Sequence, residues 1–159
     1  MNEHFLESRR LGLRHWRASD LPLALGLWTN PEVARFISST PPTEPDVRAR
    51  LARELATQTT HGMQYWPVFL LANGDFVGCC GLRPRAQEPD VPEFGVHLLP
   101  GHWGHGYATE AASLVIACAF GADTGRSLPA AIQTTPLPAG SWRGWVSSTR
   151  TTSSIRPRA

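Results

Sequence analysis

Two periods organise the apolar positions of this chain. Between Pro92 and Leu98, Phe94, Val96 and Leu98 alternate with Glu93, Gly95 and His97, the two-residue period of a strand. Pro100 and Gly101 end it, and Gly104 and Gly106 follow in a tight loop. From about Ala108 the spacing lengthens: Ala111, Leu114, Val115, Cys118 and Ala119 recur as on one side of a helix. The stretch from Pro92 to Phe120 therefore reads as strand, glycine-rich turn and helix.

Upstream, Leu11 to Trp16 alternates and predicts a first strand. Ser19 and Asp20 can cap a short helix over Leu21 to Trp28, and Asn30 followed by Pro31 restarts a helix over about Glu32 to Phe36. Thr43-Glu44-Pro45 opens a longer helix reaching about Thr59. Its apolar stripe is Val47, Leu51 and Leu55; Arg48, Arg50, Arg53 and Glu54 fall mostly off that stripe, as on a solvated face. Gln64 to Leu71 predicts a strand in which Pro67 signals a bulge or an edge. The turn residues Ala72 to Asp75 lead into a strand over Phe76 to Leu82, and the polar, proline-bearing segment Arg83 to Val91 reads as a loop. The order β-α-α-β-β-β-α predicts an α/β fold.

The turn between strand and helix has chemistry of its own. It presents several backbone N–H groups at the positive end of a helix, which suits a phosphate or diphosphate. Glycines there let a ligand approach the backbone. A dinucleotide fingerprint would need a third glycine where Thr109 stands, and would sit early in a βαβ unit; neither holds. A nucleotide-binding module that uses this turn is accordingly the weaker reading.

The longer string Leu98 to Ala111, LLPGHWGHGYATEA, closely resembles the acetyl-CoA-binding motif of the GNAT N-acetyltransferases. Trp103, Gly104, Gly106, Tyr107, Ala108, Thr109, Glu110 and Ala111 match, whereas Gly101 stands where the superfamily prefers Gln or Arg. The segments LRHWRASDLP, WTNPEVARFI and FVGCCGL are similar to the ribosomal-protein N-terminal acetyltransferase branch, so the likeness covers about Leu11 to Phe120. It implies a mixed central sheet flanked by helices, and acetyl-CoA as cosubstrate for a primary amine, on a protein N-terminus or a small molecule. It also assigns sites. His97, Leu98 and Leu99 would pair with the pantetheine, one N–H stabilising the oxyanion. Trp103, Gly104, His105, Gly106, Tyr107, Ala108 and Thr109 would form the diphosphate cradle. Glu93 is the candidate general base, against a plain solvated carboxylate at a strand start. His97 shares its face if the strand lacks the bulge usual in the family. Glu110, in the first helical turn, reads as structural. The family's general-acid Tyr has no counterpart, because no tyrosine follows Tyr107.

Composition narrows the picture slightly. A chain of 159 residues is about one domain, and a net charge of +2 does not by itself point to nucleic acid. No apolar run reaches transmembrane length and MNEHFLESRR carries no signal peptide, so no membrane partner is expected. Cys79, Cys80 and Cys118 are odd in number, which suggests reduced thiols and a cytoplasmic protein; no Cys or His spacing suggests a metal.

After Phe120 the character changes. Residues 121–159 are rich in Ser, Thr, Pro and Arg, hold one acid, Asp123, and have no sustained period. All fifteen basic residues of the chain are Arg, as in a GC-rich coding sequence. In the frame starting at each codon's third base, Trp145 (TGG) before Val146 forces glycine, with leucine and phenylalanine permitted on either side. Residues 131–135 permit His-Pro-Asp-Asn, and Thr135 to Ala139 permit Ala-Ala-Ser-Arg. The run resembles a GNAT C-terminal pattern, Asn-x-x-Ser-x-x-x-Leu-x-x-Leu-Gly-Phe. The expectation is a domain over 11–120, incomplete thereafter, and a tail over 121–159 frameshifted between Phe120 and Ile132. A natural divergent tail is the other reading. An incomplete sheet would leave edges that favour a homodimer, and a catalytically inactive remnant is the alternative to an acetyltransferase.

Overall fold

Capping fixes most of the helices locally. In the computed structural model, which describes residues 3–85, 87 and 92–119, α1 spans Leu21–Trp28, α2 Pro31–Ala34, α3 Glu44–His61 and α4 Tyr107–Ala119. Asn30 Oδ1 accepts the Glu32 N–H at 3.0 Å, and Thr43 and Asp46 close a reciprocal capping box at the start of α3. Gly62 ends α3 in the left-handed conformation, φ 67°. The predicted helices are thus present, with ends moved by one or two residues.

Five strands form one sheet: β1 (Leu6–Glu7), β2 (Leu11–Leu13), β3 (Tyr65–Leu70), β4 (Phe76–Pro84) and β5 (Pro92–Leu98), in that spatial order. Every pairing among the described residues is antiparallel, where a mixed sheet was expected; the tail over 121–159 lies outside the described residues. β1 was not expected, because two residues carry no period; it forms by pairing Leu6 with Leu13. β2 ends three residues short of Trp16. There the backbone leaves the sheet, and the Trp16 N–H donates to the side chain of Gln64 at 2.7 Å. Pro67 does not mark an edge, since β3 is the central strand. It lies opposite the point where β2 has just ended, so no ladder bond is lost; the register shift falls beside it, between Val68 and Phe69.

Alternation along the strands sends apolar groups to both faces. Leu11, Leu13, Trp66, Val68, Val77, Cys80, Leu82 and Leu98 pack with Ala111, Leu114, Val115 and Cys118 of α4. On the opposite face Tyr65 and Cys79 pack with Trp16, Ala24, Leu27, Trp28, Val33, Val47 and Leu51. The sheet is thereby flanked by helices on both faces, the α/β arrangement expected.

One buried ion pair holds the chain leaving β2. Arg14 donates to both oxygens of Asp20, at 2.7 and 3.0 Å, and the Arg17 N–H donates to Asp20 Oδ2 at 2.8 Å. Burial pushes the Asp20 pKa up, but these donors outweigh it and leave the carboxyl below its ordinary value. A depressed pKa means that the pair stabilises the fold above the unfolded-state pKa and that this is lost as pH falls through the folded one. Asp20→Asn should therefore destabilise the protein by about 3 kcal/mol near neutral pH, because a charge is left buried alone. In urea unfolding, the difference from wild type should shrink as the pH drops below the ordinary carboxylate range.

Candidate active site

β5 borders both halves of the site. Its pairing with β4 runs unbroken from Pro84 opposite Pro92 to Gly78 opposite Leu98. No bulge interrupts it, so Glu93, Gly95 and His97 do share a face, the one covered by α1 and α3. Gly95 leaves room for the Tyr65 ring: a Cβ there would lie 2.4 Å from Tyr65 Cζ. Tyr65 is thereby able to reach past β4, and its hydroxyl donates to Glu93 Oε1 at 3.1 Å. Arg83, on β4, donates to the same oxygen at 3.1 Å while stacking 4.9 Å over the Tyr65 ring. Glu93 is therefore held from two sides rather than simply solvated. Burial pushes the Tyr65 pKa up, so the phenol keeps its proton for that bond.

His97 sits deeper. Trp28 Nε1–H donates to its Nδ1 at 3.4 Å, Cys79 Sγ lies 3.6 Å from the same nitrogen, and the Tyr65 ring meets it edge-on at 5.8 Å. Burial first, then the charges of Arg50 and Arg83, pushes its pKa down to about 3. The ring is neutral at physiological pH, and accepting at Nδ1 leaves its proton on Nε2. Burial likewise pushes the Cys79 thiol up to about 12.

The other half is the glycine loop. The Leu99 N–H bonds Val77 O at 2.9 Å, facing β4. By strand alternation His97 also faces β4, and Leu98 directs its N–H and C=O away from it, toward an edge that no described strand covers. Trp103 Nε1–H donates to that Leu98 carbonyl at 2.9 Å. Of His97, Leu98 and Leu99, only Leu98 directs its N–H to the open edge. Gly104 and Gly106 adopt φ 78° and 79°, which only glycine takes without strain, so the loop needs them for conformation. The Glu110 N–H makes the first helical bond, to Gly106 O, which puts the N–H groups of Tyr107, Ala108 and Thr109 in the first turn.

Glu110 ties α4 to the β1–β2 turn. It accepts from Ser8 Oγ at 2.7 Å, from the Arg10 N–H at 2.9 Å and from Arg10 Nε at 2.7 Å. Held this way, the Arg10 guanidinium stacks 4.6 Å over the Tyr107 ring and comes within 3.5 Å of the place where a Cβ on Gly106 would lie. His105 also stacks on the Tyr107 ring, with centroids 5.3 Å apart. Arg10 is a cation beside the loop that sequence reasoning missed, since it lies about a hundred residues away and carries no local pattern. The donors, the left-handed glycines and Arg10 fit a diphosphate. Among the described residues no group of three His, Cys, Asp or Glu side chains could hold a metal ion.

The glycine turn opens α4 beside an uncovered strand edge, on a sheet with helices on both faces. Residues 10–137 match the model of the acetyltransferase (GNAT) domain, and the chain belongs to that family. It is 27% identical over 116 residues to the uncharacterized N-acetyltransferase p20 of Bacillus licheniformis, covering 72% of this chain and 65% of that protein. The chain thus spans just under two thirds of that relative's length. An acetyltransferase structure from Agrobacterium tumefaciens superposes with a TM-score of 0.63 at 26% identity, covering 76% of this chain and 68% of that one. RimL, a ribosomal L7/L12 alpha-N-protein acetyltransferase, shares the fold at a TM-score of 0.57 and 15% identity, over 74% of this chain and 66% of its own.

The state of His97 is directly measurable. Its ring nitrogens, followed by NMR from pH 8 to 5, should show no titration and a proton on Nε2 throughout.

Proposed function

We propose that the protein transfers an acetyl group from acetyl-CoA to a primary amine. The observation that carries this is the glycine turn opening α4 beside the open edge of β5. In this reading the N–H groups from Gly104 to Thr109, with Arg10, hold the diphosphate, the Trp103 N–H being taken by Pro100 O at 3.1 Å. Leu98 receives the pantetheine at the strand edge, and its N–H faces the carbonyl oxygen as that oxygen gains charge. When bound, acetyl-CoA supplies an acetyl thioester. The base takes a proton from the ammonium, the free amine forms the C–N bond to the acetyl carbon as the C–S bond breaks, and CoA leaves as a thiolate that takes up the second proton released from the nitrogen.

Glu93 is the proposed base. It stands five positions from Leu98, on the order of 16 Å along an extended strand, so it draws the proton through water. His97 is unsuited, because burial makes it a very weak base and its acceptor nitrogen is engaged by Trp28. Trp103 and Tyr107 act as packing around the cradle, since the Trp103 indole N–H is engaged by Leu98 O and the Tyr107 ring contacts both Arg10 and His105. Likeness to the ribosomal-protein branch favours a protein N-terminus as acceptor, with a small-molecule amine as the other source. The three free, buried cysteines support a reducing, cytoplasmic setting.

We also propose that residues 121–159 follow a frameshift after an acetyltransferase domain ending near Phe120. The family match itself runs to residue 137, past the start of the proposed window. Sequencing the coding DNA from Phe120 onward decides this: a third-base frame without Leu-Gly-Phe at residues 144–147 overturns it.

In a thiol-release assay with acetyl-CoA and a panel of amines, Glu93→Gln should lower kcat by roughly 100-fold or more. The thermal shift produced by CoA should persist in that variant. Absence of turnover in the wild type, together with no thermal shift on adding CoA, would establish the inactive remnant instead.

A further inference from the structure

α3 places one arginine where its sequence pattern did not. Arg50 was expected on a solvated helix face, but its Nε is buried and has no hydrogen-bond partner. Its guanidinium lies 4.5 Å over the Trp28 ring. Other enclosed arginines are neutralised: Arg14 by Asp20, Arg10 by Glu110 and Arg83 by Glu93. Arg50 makes no ion pair among the described residues. Glu54, one helical turn on, is buried, and its Oε2 accepts the Tyr65 N–H at 2.8 Å instead. The remaining groups that act on Arg50 electrostatically are Cys79, Tyr65 and a second cation, Arg83. Removing a guanidinium from water without a carboxylate partner is costly, and contact with an indole returns only part of that cost.

The position of Arg50 gives this cation a use. The Trp28 indole connects it to His97, whose successor Leu98 holds the proposed acetyl-facing N–H. Arg50 is on the same side of the sheet as Glu93, the side from which the amine and its proton must be handled. The face therefore offers a cation with no ion pair among the described residues, one indole away from the end of β5.

Resting on the acetyl-transfer reading, we infer that Arg50 binds an anionic group of the acceptor, so that the preferred substrate is a primary amine carrying a carboxylate a few bonds from its nitrogen. A guanidinium and a carboxylate form charge-assisted, two-pronged hydrogen bonds, which also fix the amine's direction. Acceptors with additional positive charge, such as polyamines and aminoglycosides, meet Arg50 and are disfavoured.

Matched acceptors test this in the full chain. A free amino acid is compared with its amide, and a short amidated peptide with glutamate in second place is compared with its glutamine counterpart. The carboxylated member of at least one pair should have a kcat/KM higher by about 10- to 100-fold, the usual size of a charged hydrogen bond. Which pair responds tells a backbone carboxylate from a side-chain one. Arg50→Gln should bring that ratio near one, and Arg50→Lys should restore part of it; the CoA thermal shift reports whether each variant is folded. Equal turnover within both pairs in the wild type overturns the inference, as does a folded Arg50→Gln that keeps the ratio. No turnover of any amine and no CoA shift would overturn acetyl transfer itself, and with it the acceptor site.

Discussion

Tyr65 can cross over β5 only because residue 95 has no side chain. A Cβ at Gly95 would meet the phenol ring at 2.4 Å, well inside contact distance. The ring is held from behind as well. Glu54 takes the Tyr65 N–H, and Gln64, fully buried, accepts from Trp16 and donates to the Glu54 carbonyl at 3.1 Å. Through these bonds the end of α3, the start of β3 and the exit from β2 share one fixed point. Tyr65 then sets what surrounds it: its hydroxyl fixes Glu93, its face carries Arg83 and its edge meets His97. The arrangement of the helix-covered face follows from one absent methyl group and one buried amide.

The opposite margin of β5 is governed by backbone rather than side chains. Alternation decides that Leu98 faces outward while His97 and Leu99 face β4, and no substitution short of a bulge changes that. The glycine loop begins there, closed onto the strand by the indole of Trp103. Glu110 fixes the loop against the β1–β2 turn, and three donors hold its carboxyl below the ordinary value although burial pushes the other way. A glycine loop and a cation–carboxylate face thus meet along a single strand, one built from amide groups and the other from packed side chains.

Local order was legible where the chain states it locally. Asn30-Pro31, Thr43 with Asp46, and the period of Val47 and Leu51 each involve neighbours within a few residues, and the corresponding helices formed there. Illegible features depend on what stands across the sheet. Pro67 is harmless in the central strand because β2 has already ended opposite it. Arg50 and Glu54 look like solvated positions until β3 and α1 cover them. Arg10 has no pattern at all until α4 brings Tyr107 beneath it.

The sequence alone therefore determined the strand, turn and helix from Pro92 to Ala119, with glycines at the two positions that require positive φ, and through them the family. Periodicity and turn chemistry act between residues close in the chain, so they can be read from it. Tertiary structure alone decided which N–H of β5 faces outward, that Glu93 is held by Tyr65 and Arg83, that His97 is neutral, and that Arg50 makes no ion pair among the described residues. Those properties arise from burial and from partners tens of residues away, and burial is fixed only when the layers close.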